Sequence, residues 1–116
     1  MAKLRVLIVE DEGMVSMLLE DMLFELGHTI AGSAPRLAQA TALAETIEAD
    51  LAILDVNLDG EDSYPVAEIL TTRGMPFIFA TGYGALGVRQ EWKQAPVLSK
   101  PFQIRELAAA IARAQA

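Results

Sequence analysis

The stretch Leu51-Ala52-Ile53-Leu54-Asp55 decides the fold, because it places a carboxylate directly after four consecutive apolar residues. An unbroken apolar run is typical of a strand buried on both faces, as the strands of parallel sheets are. The same pattern occurs at 6–10, where Glu10 ends the run, and at 77–81, where Thr81 ends it. The sequence therefore predicts a parallel sheet whose strands end in polar residues.

The segments between these runs carry apolar residues at helical spacing. The spacing is regular around residues 15–26, 37–47, 66–70 and 104–111, and a weaker helical pattern covers 85–93. Short strands are also predicted at 29–32 and 97–98. Strand and helix thus alternate five times, which predicts an α/β fold with a (βα)5 doubly wound parallel sheet. In open sheets of this kind, sites form at the carboxyl ends of the strands.

Composition narrows the classes of protein that the chain can belong to. With 116 residues, 53% of them hydrophobic, it is one domain's length and has material for a core. The absence of cysteine excludes a disulfide scaffold and thiolate metal sites. A net charge of −7 gives no general attraction for nucleic acid or anionic lipid, and no apolar run approaches a membrane span of about 20 residues. We therefore expect a soluble cytoplasmic protein with neither nucleic acid nor membrane as a partner.

Polar residues at the ends of four predicted strands form the candidate site. Glu10 and Asp11 follow the first strand, Asp55 the third, Thr81 the fourth and Lys100 the fifth. Carboxylates this close together repel one another and need a cation, and a set of oxygen ligands favours Mg²⁺, Mn²⁺ or Ca²⁺. Few carboxylates on short loops suit Mg²⁺ best. The competing interpretation is that the acids only stabilise helix N-termini.

Asp55 is the candidate nucleophile, since it ends the strand expected at the centre of the sheet. A carboxylate there can attack phosphorus and form an acyl phosphate. Such transfer depends on positioning and charge stabilisation more than on acid–base groups. Lys100 would neutralise a phosphoryl oxygen and the Thr81 hydroxyl would donate a hydrogen bond to another. Neither residue alone is informative, because threonines at strand ends and surface lysines are common.

In its order of strand-end residues, Glu10-Asp11, Asp55, Thr81 and Lys100-Pro101, the chain resembles the receiver domain of two-component response regulators over essentially its whole length. The resemblance implies the flavodoxin-like strand order 2-1-3-4-5. It implies that a histidine kinase or histidine phosphotransfer protein donates a phosphoryl group to Asp55, and that Thr81 and Lys100 contact the phosphoryl oxygens. It also implies a cis peptide bond before Pro101.

The resemblance further implies the magnesium ligands. Asp11, Asp55 and the backbone carbonyl of Asn57 would hold Mg²⁺, and Glu10 would act through a water molecule. Glu12, one residue further along, is interpreted as a solvated acid at a helix start.

Two departures from the family pattern concern the switch. Receivers usually carry an aromatic residue three positions before the lysine, where this chain has Val97. The segment Pro76 to Gly84 instead resembles a subfamily with a Phe-Ala-Thr-Gly-aromatic-Gly motif, in which Tyr83 would take over the reporting role beside Thr81. The Leu-Pro pair common after the phosphoacceptor is replaced by Leu58-Asp59-Gly60.

The function implied is a phosphorylation-dependent switch built from a single receiver domain over 1–116, with no output domain. It would catalyse only its own phosphorylation and dephosphorylation, and would signal as a monomer or weak dimer through an unknown downstream protein. The alternatives are a receiver-like module that works without phosphorylation and a receiver excised from a larger regulator or hybrid kinase. Asn57 argues against an enzyme of the haloacid-dehalogenase type, which is expected to carry a second acid at that position. Glu10-Asp11-Glu12 argues against a flavodoxin, because its phosphate loop would lie there and these acids would repel phosphate.

Five other residues carry weaker expectations. His28 follows the first predicted helix, away from the site strands, and is expected on the surface. Trp92 suits a partner surface and partly buried packing equally well. Met14, Met17 and Met22 fit core or helix packing better than a cofactor role.

Overall fold

A five-stranded parallel sheet forms the centre of the protein in the computed structural model, which describes residues 3–115. Its order is β2-β1-β3-β6-β7, so its five strands run 2-1-3-4-5 in chain order and confirm the predicted fold. The strands are β1 Arg5–Val9, β2 Thr29–Ala34, β3 Leu51–Asp55, β4 Asn57–Leu58, β5 Glu61–Asp62, β6 Phe77–Thr81 and β7 Val97–Ser99. Strands β4 and β5 form a separate small hairpin.

Helices cover both faces of the sheet and create two cores. They are α1 Gly13–Glu25, α2 Leu37–Thr46, α3 Tyr64–Thr72 and α4 Ile104–Gln115. Side chains of a strand alternate between the faces, so Leu54 and Phe79 pack with α2 and α3 while Ile53 and Ile78 pack with α1 and α4. Every residue of β3 is buried, as the continuous apolar run predicts.

The hairpin of β4 and β5 follows directly after the central strand. Its two turn residues, Asp59 and Gly60, have φ angles of 53° and 90°. Two positive φ values in a two-residue loop define the type I′ turn that Asp-Gly favours. The Asp59-Gly60 pair therefore builds a tight hairpin shortly after Asp55.

Two 3₁₀ turns, Gly84–Gly87 and Gln90–Trp92, occupy the place of the α-helix predicted over 85–93. The prediction of an α-helix there is wrong for a local reason. Gly87, within the predicted range, costs about 1 kcal/mol in a helix interior relative to alanine. In addition, Arg89 between the two turns has an extended backbone, with ψ at 151°. We call residues 82–93 the switch segment.

Arg73, at the C-terminal end of α3, closes the end of α2. Its Nη1 donates a hydrogen bond to the Ala44 carbonyl at 2.6 Å, and its Nη2 donates to the Ile47 carbonyl at 2.8 Å. The last carbonyls of a helix lack partners within the helix and need such donors. The end of one helix is thus satisfied by a residue 26 to 29 positions away in sequence.

Three of the minor expectations are corrected by the structure. His28 is buried rather than exposed, and its Nδ1 accepts a hydrogen bond of 3.1 Å from the Leu4 N–H. Met14 and Met17 point outward on α1, with 85% and 66% of their surface exposed.

None of the helices formed by residues 3–115 is long and apolar enough to cross a membrane.

Candidate functional site

Four of the predicted site residues meet at the carboxyl edge of the sheet. Glu10 follows β1, Asp55 ends β3, Thr81 ends β6 and Lys100 follows β7. Backbone hydrogen bonds extend the sheet up to these residues: the Glu10 N–H donates to the Ala34 carbonyl and the Lys100 N–H to the Thr81 carbonyl. Glu10, Asp55 and Thr81 are buried. The parallel topology, rather than local sequence, brings them together.

Lys100 links two of the buried carboxylates. Its Nζ lies 2.9 Å from Glu10 Oε1 and 3.0 Å from Asp55 Oδ2. The other Asp55 oxygen, Oδ1, accepts a hydrogen bond of 3.1 Å from the Asn57 N–H. The peptide bond between Lys100 and Pro101 is cis, as the resemblance implies. Asp55 is therefore held by one contact at each of its two oxygens.

Burial perturbs the ionisation of the two linked groups. Desolvation raises the pKa of the Glu10 carboxyl to about 7, against the opposing effects of Lys100 and the Glu12 N–H. Burial also works against the charged form of Lys100, but its bonds to Glu10 and Asp55 outweigh burial and raise its pKa above the ordinary value. Lys100 thus keeps its positive charge at neutral pH while Glu10 titrates there.

The acids form a cluster suited to a divalent cation. Carboxylate oxygens of Glu10, Asp11 and Asp55 all lie within 4.8 Å of one another. With every acid ionised, three negative charges face the single positive charge of Lys100, which leaves an uncompensated charge of −2. A set of oxygen ligands and a double negative charge fit Mg²⁺. Sequence analysis placed all three acids correctly at one point.

The hairpin closes over one side of this cluster. The Asp59 N–H donates to Asp11 Oδ2 at 3.1 Å, and the Gly60 N–H donates to Asn57 Oδ1 at 2.7 Å. The Asn57 side chain is therefore engaged within the turn. Its backbone carbonyl as a metal ligand remains a prediction.

Thr81, the last residue of β6, is bonded to Tyr83 in the switch segment. Thr81 Oγ1 accepts a hydrogen bond of 3.1 Å from the Tyr83 N–H. The Tyr83 ring is 81% exposed, and Leu86 further along is 92% exposed. The switch segment thus presents two large exposed side chains, and the backbone N–H of one of them is bonded to the buried Thr81 hydroxyl.

Sequence analysis missed the residue that anchors the switch segment. Tyr64 is buried at the start of α3, and its hydroxyl accepts a hydrogen bond of 2.9 Å from the Arg89 N–H. Its ring stacks on Trp92 with centroids 6.2 Å apart. Trp92 is thus partly buried packing, one of its two predicted roles. The available signal was a tyrosine before Pro65 at a helix start, shortly after the strand that ends at Asp55.

The chain belongs to the receiver domain family of response regulators. The family model described as the response regulator receiver domain matches residues 6–112. Its homologues are signalling proteins of two-component systems, and this chain is a receiver domain of that kind.

Three relatives illustrate the family. The transcriptional regulatory protein PdtaR of Mycobacterium tuberculosis is 36% identical over 111 residues, which are 92% of this chain and 54% of PdtaR. The phyllosphere-induced regulator PhyR of Methylorubrum extorquens is 34% identical over 94% of this chain and 42% of its own length. The solution structure of SdrG from Sphingomonas melonis superposes with a TM-score of 0.90 at 44% identity, over 100% of both chains. The chain spans about half the length of the curated relatives it matches.

Proposed function

We propose that this receiver accepts a phosphoryl group on Asp55 from a phosphohistidine of a histidine kinase or phosphotransfer protein. An Asp55 carboxylate oxygen attacks phosphorus, a new O–P bond forms, and the N–P bond of the donor breaks. The donor imidazole recovers the electron pair of that bond and takes a proton from solvent. The product is an aspartyl phosphate, which water hydrolyses to the carboxylate and inorganic phosphate.

The observation that carries the proposal is the placement of Lys100 Nζ between Asp55 and Glu10, 3.0 Å and 2.9 Å away. A fixed ammonium at the nucleophile stabilises the charge that develops on the transferring group. Because the pKa of Lys100 is raised, it keeps this charge over the whole physiological range. The Thr81 hydroxyl would donate to a second phosphoryl oxygen.

The residues present fit a bound Mg²⁺. Asp11, Asp55 and the Asn57 carbonyl would hold the ion directly, with Glu10 acting through water. When bound, the ion supplies positive charge that offsets the cluster and the phosphoryl oxygens.

The switch segment would carry the signal to a downstream protein. Phosphorylation adds roughly −1.5 to −2 charges and three strong acceptors, which favours a Thr81 hydroxyl turned toward Asp55. The Phe-Ala-Thr-Gly-Tyr-Gly motif at 79–84 supports the assignment to the subfamily in which Tyr83 reports this change. Tyr83 and Leu86, both exposed, are the groups that a partner would contact. A cytoplasmic location stays a prediction.

The phosphodonor would dock on α1. This helix begins two residues after Asp11 and exposes Met14, Met17, Leu18 and Phe24. Large exposed apolar side chains clustered on one helix indicate an interaction surface. A partner packed on this helix brings its phosphohistidine over the adjacent acidic cluster.

Intact-mass spectrometry after incubation with acetyl phosphate tests the chemistry. We expect the wild type to gain one phosphoryl group with Mg²⁺ and to gain none in EDTA. Asp55→Asn should abolish the gain. Asp50→Asn is the matched control, because Asp50 lies at the opposite edge, where its Oδ2 accepts the Arg5 N–H. An unmodified wild type would favour the alternative of a module that works without phosphorylation.

Met17→Glu tests the docking surface separately. Transfer from a purified phosphohistidine protein that labels the wild type should fall at least tenfold, since a charge replaces an apolar contact at a partner interface. Labelling by acetyl phosphate should not change, because that donor needs no surface. Equal loss with both donors would contradict the assignment of α1.

A further inference from the structure

The Thr81 side chain lies on the opposite face of the sheet from the Asp55 side chain. Along β6, Phe79 packs in the core with α2 and α3, and alternation puts the Thr81 side chain on that same face. Along β3, Ile53 packs in the core with α1 and α4, which puts Asp55 on the other face. To reach a phosphoryl group on Asp55, the Thr81 hydroxyl has to move around the carboxyl edge of the sheet.

Gly87 packs directly against this hydroxyl. A β-carbon built at Gly87 would overlap Thr81 Oγ1 and come within 3.3 Å of Thr81 Cβ and 3.1 Å of Tyr83 Cβ. Only a glycine lets the backbone approach this closely. The first 3₁₀ turn is therefore pressed onto Thr81 in the position in which Thr81 Oγ1 accepts the Tyr83 N–H.

The Tyr64 hydroxyl fixes the turn in this position. Its oxygen accepts the Arg89 N–H at 2.9 Å, and it donates to the Gly87 carbonyl at the longer distance of 3.5 Å. The Arg89 guanidinium lies over the Tyr64 ring, 4.6 Å from the centroid, and also bonds Asp62 at 3.0 Å. The Tyr64 hydroxyl thus bonds both the Gly87 carbonyl and the Arg89 N–H, the backbone groups on either side of Val88.

We propose that Tyr64 is a positioning residue that acts through Gly87 to keep the Thr81 hydroxyl in its resting orientation. The proposal rests on the function proposed above. Tyr64 holds the turn, the turn holds Thr81, and phosphorylation has to overcome this restraint before Thr81 reaches the phosphoryl group. Loosening the restraint raises the population of the competent orientation in the unphosphorylated protein, and so raises the rate of phosphorylation.

Tyr64→Phe removes the hydroxyl and keeps the ring with its aromatic contacts. Thr71→Val is the matched control: it removes a hydroxyl from the same helix, one that donates to the Ala67 carbonyl at 2.8 Å. Two readouts are compared between the variants. One is the NMR resonance of the Thr81 methyl and the exchange rate of the Tyr83 amide, both without phosphodonor. The other is the labelling rate with acetyl phosphate and Mg²⁺.

We expect Tyr64→Phe to shift the Thr81 methyl and to speed both Tyr83 exchange and labelling roughly two- to tenfold, the range for the loss of one hydrogen bond. Gly87→Ala, which leaves Tyr64 intact, should shift the Thr81 methyl as well. Identical behaviour of Tyr64→Phe and Thr71→Val in both readouts would overturn the proposal. If the wild type is not labelled but the two NMR effects appear, the restraint stands and the proposed phosphorylation fails.

Discussion

The acidic cluster and the switch segment lie at the same edge of the sheet but are held in different ways. The cluster is held by strand ends: Glu10, Asp55 and Lys100 each sit at or directly after a parallel strand. The switch segment consists of two 3₁₀ turns and is held by side chains, chiefly Tyr64 and Trp92.

This difference separates chemistry from signalling. A site built on backbone ladders keeps its geometry, as a phosphoryl transfer site requires. A segment held by one hydroxyl and a stacked ring has few restraints, and elements that move in signalling are drawn from such regions of low local stability. The contrast predicts that substitutions in the cluster remove most of the phosphoryl transfer, whereas substitutions around the switch segment change its rate roughly tenfold or less and act mainly on hydrogen exchange.

The largest effect is expected from Lys100→Met. Removal of one preorganised charge should slow phosphorylation by roughly a hundredfold. The substitution also leaves the buried carboxylates of Glu10 and Asp55 without their cationic partner. This should lower the free energy of unfolding at neutral pH by roughly 3 kcal/mol. That deficit should shrink in acid, where the carboxyls become neutral. Single-turnover labelling and urea melts at two pH values measure both effects. Arg105→Met, at an exposed position of α4, should change neither.

Trp92→Ala should loosen the switch segment and spare the cluster. The indole contacts Phe77 and Phe79, at centroid distances of 5.9 Å and 6.1 Å, as well as Tyr64. Because it is half-buried, its loss should cost roughly 2–3 kcal/mol. Hydrogen exchange should rise over 84–93, while labelling with acetyl phosphate stays within a few-fold of the wild type.

Phe24→Ala supplies the control for this comparison, because Phe24 is an exposed aromatic residue on α1. It should leave exchange over 84–93 unchanged. A Trp92→Ala protein that loses labelling entirely would show that the segment and the cluster are one unit.

The ionisation of Glu10 should make Mg²⁺ binding dependent on pH. Because burial raises the pKa of Glu10 to about 7, the metal-free folded state binds one more proton than the unfolded chain between its ordinary pKa and that value. Stability of the metal-free protein therefore falls as pH rises through this window. A bound cation favours the carboxylate, so binding should release a proton near pH 6 and none near pH 8.

Calorimetric titration of Mg²⁺ in buffers of different ionisation heat measures this release. The apparent affinity should weaken by up to about tenfold per pH unit below 7. Glu10→Gln should remove the pH dependence. Proton release that persists in that variant would assign the titration to another group.

The smallest effect is expected from Asp62→Asn. The Arg89–Asp62 pair is 3.0 Å long, but both side chains are well exposed. Such pairs contribute less than ~1 kcal/mol and are screened by salt. Urea melts at low and high ionic strength should show a small loss that disappears in salt. A larger loss would mean that the pair, rather than Tyr64, is the main restraint on the switch segment.

The cluster was predictable from sequence because parallel strands bring their carboxyl ends to one edge. Once the apolar runs ending at Glu10, Asp55 and Thr81 were read as strands, the topology placed their polar residues together. The helical layers were predictable from the alternation of strand and helix, whereas the strand order followed only from the resemblance to receiver domains.

The switch segment and the Tyr64 contacts were not predictable in this way. Val88 is the one residue of the 84–92 stretch that the described side chains show as buried, so little apolar periodicity was available there. The hydroxyl of Tyr64 meets the Arg89 backbone across 25 residues, and no local pattern encodes that contact. His28 was misjudged similarly, since its partner, the Leu4 N–H, lies 24 residues earlier.

The Arg73 side chain has a consequence for how the protein opens. Arg73, at the end of α3, donates hydrogen bonds to carbonyls at the end of α2. The last turn of α2 therefore cannot unwind without also losing these bonds to a neighbouring helix. Its carbonyls lose their donors when α3 unwinds, and they keep them while α3 is intact. The two neighbouring helices should therefore open and close as one cooperative unit, and their amide protons should exchange with a shared opening free energy.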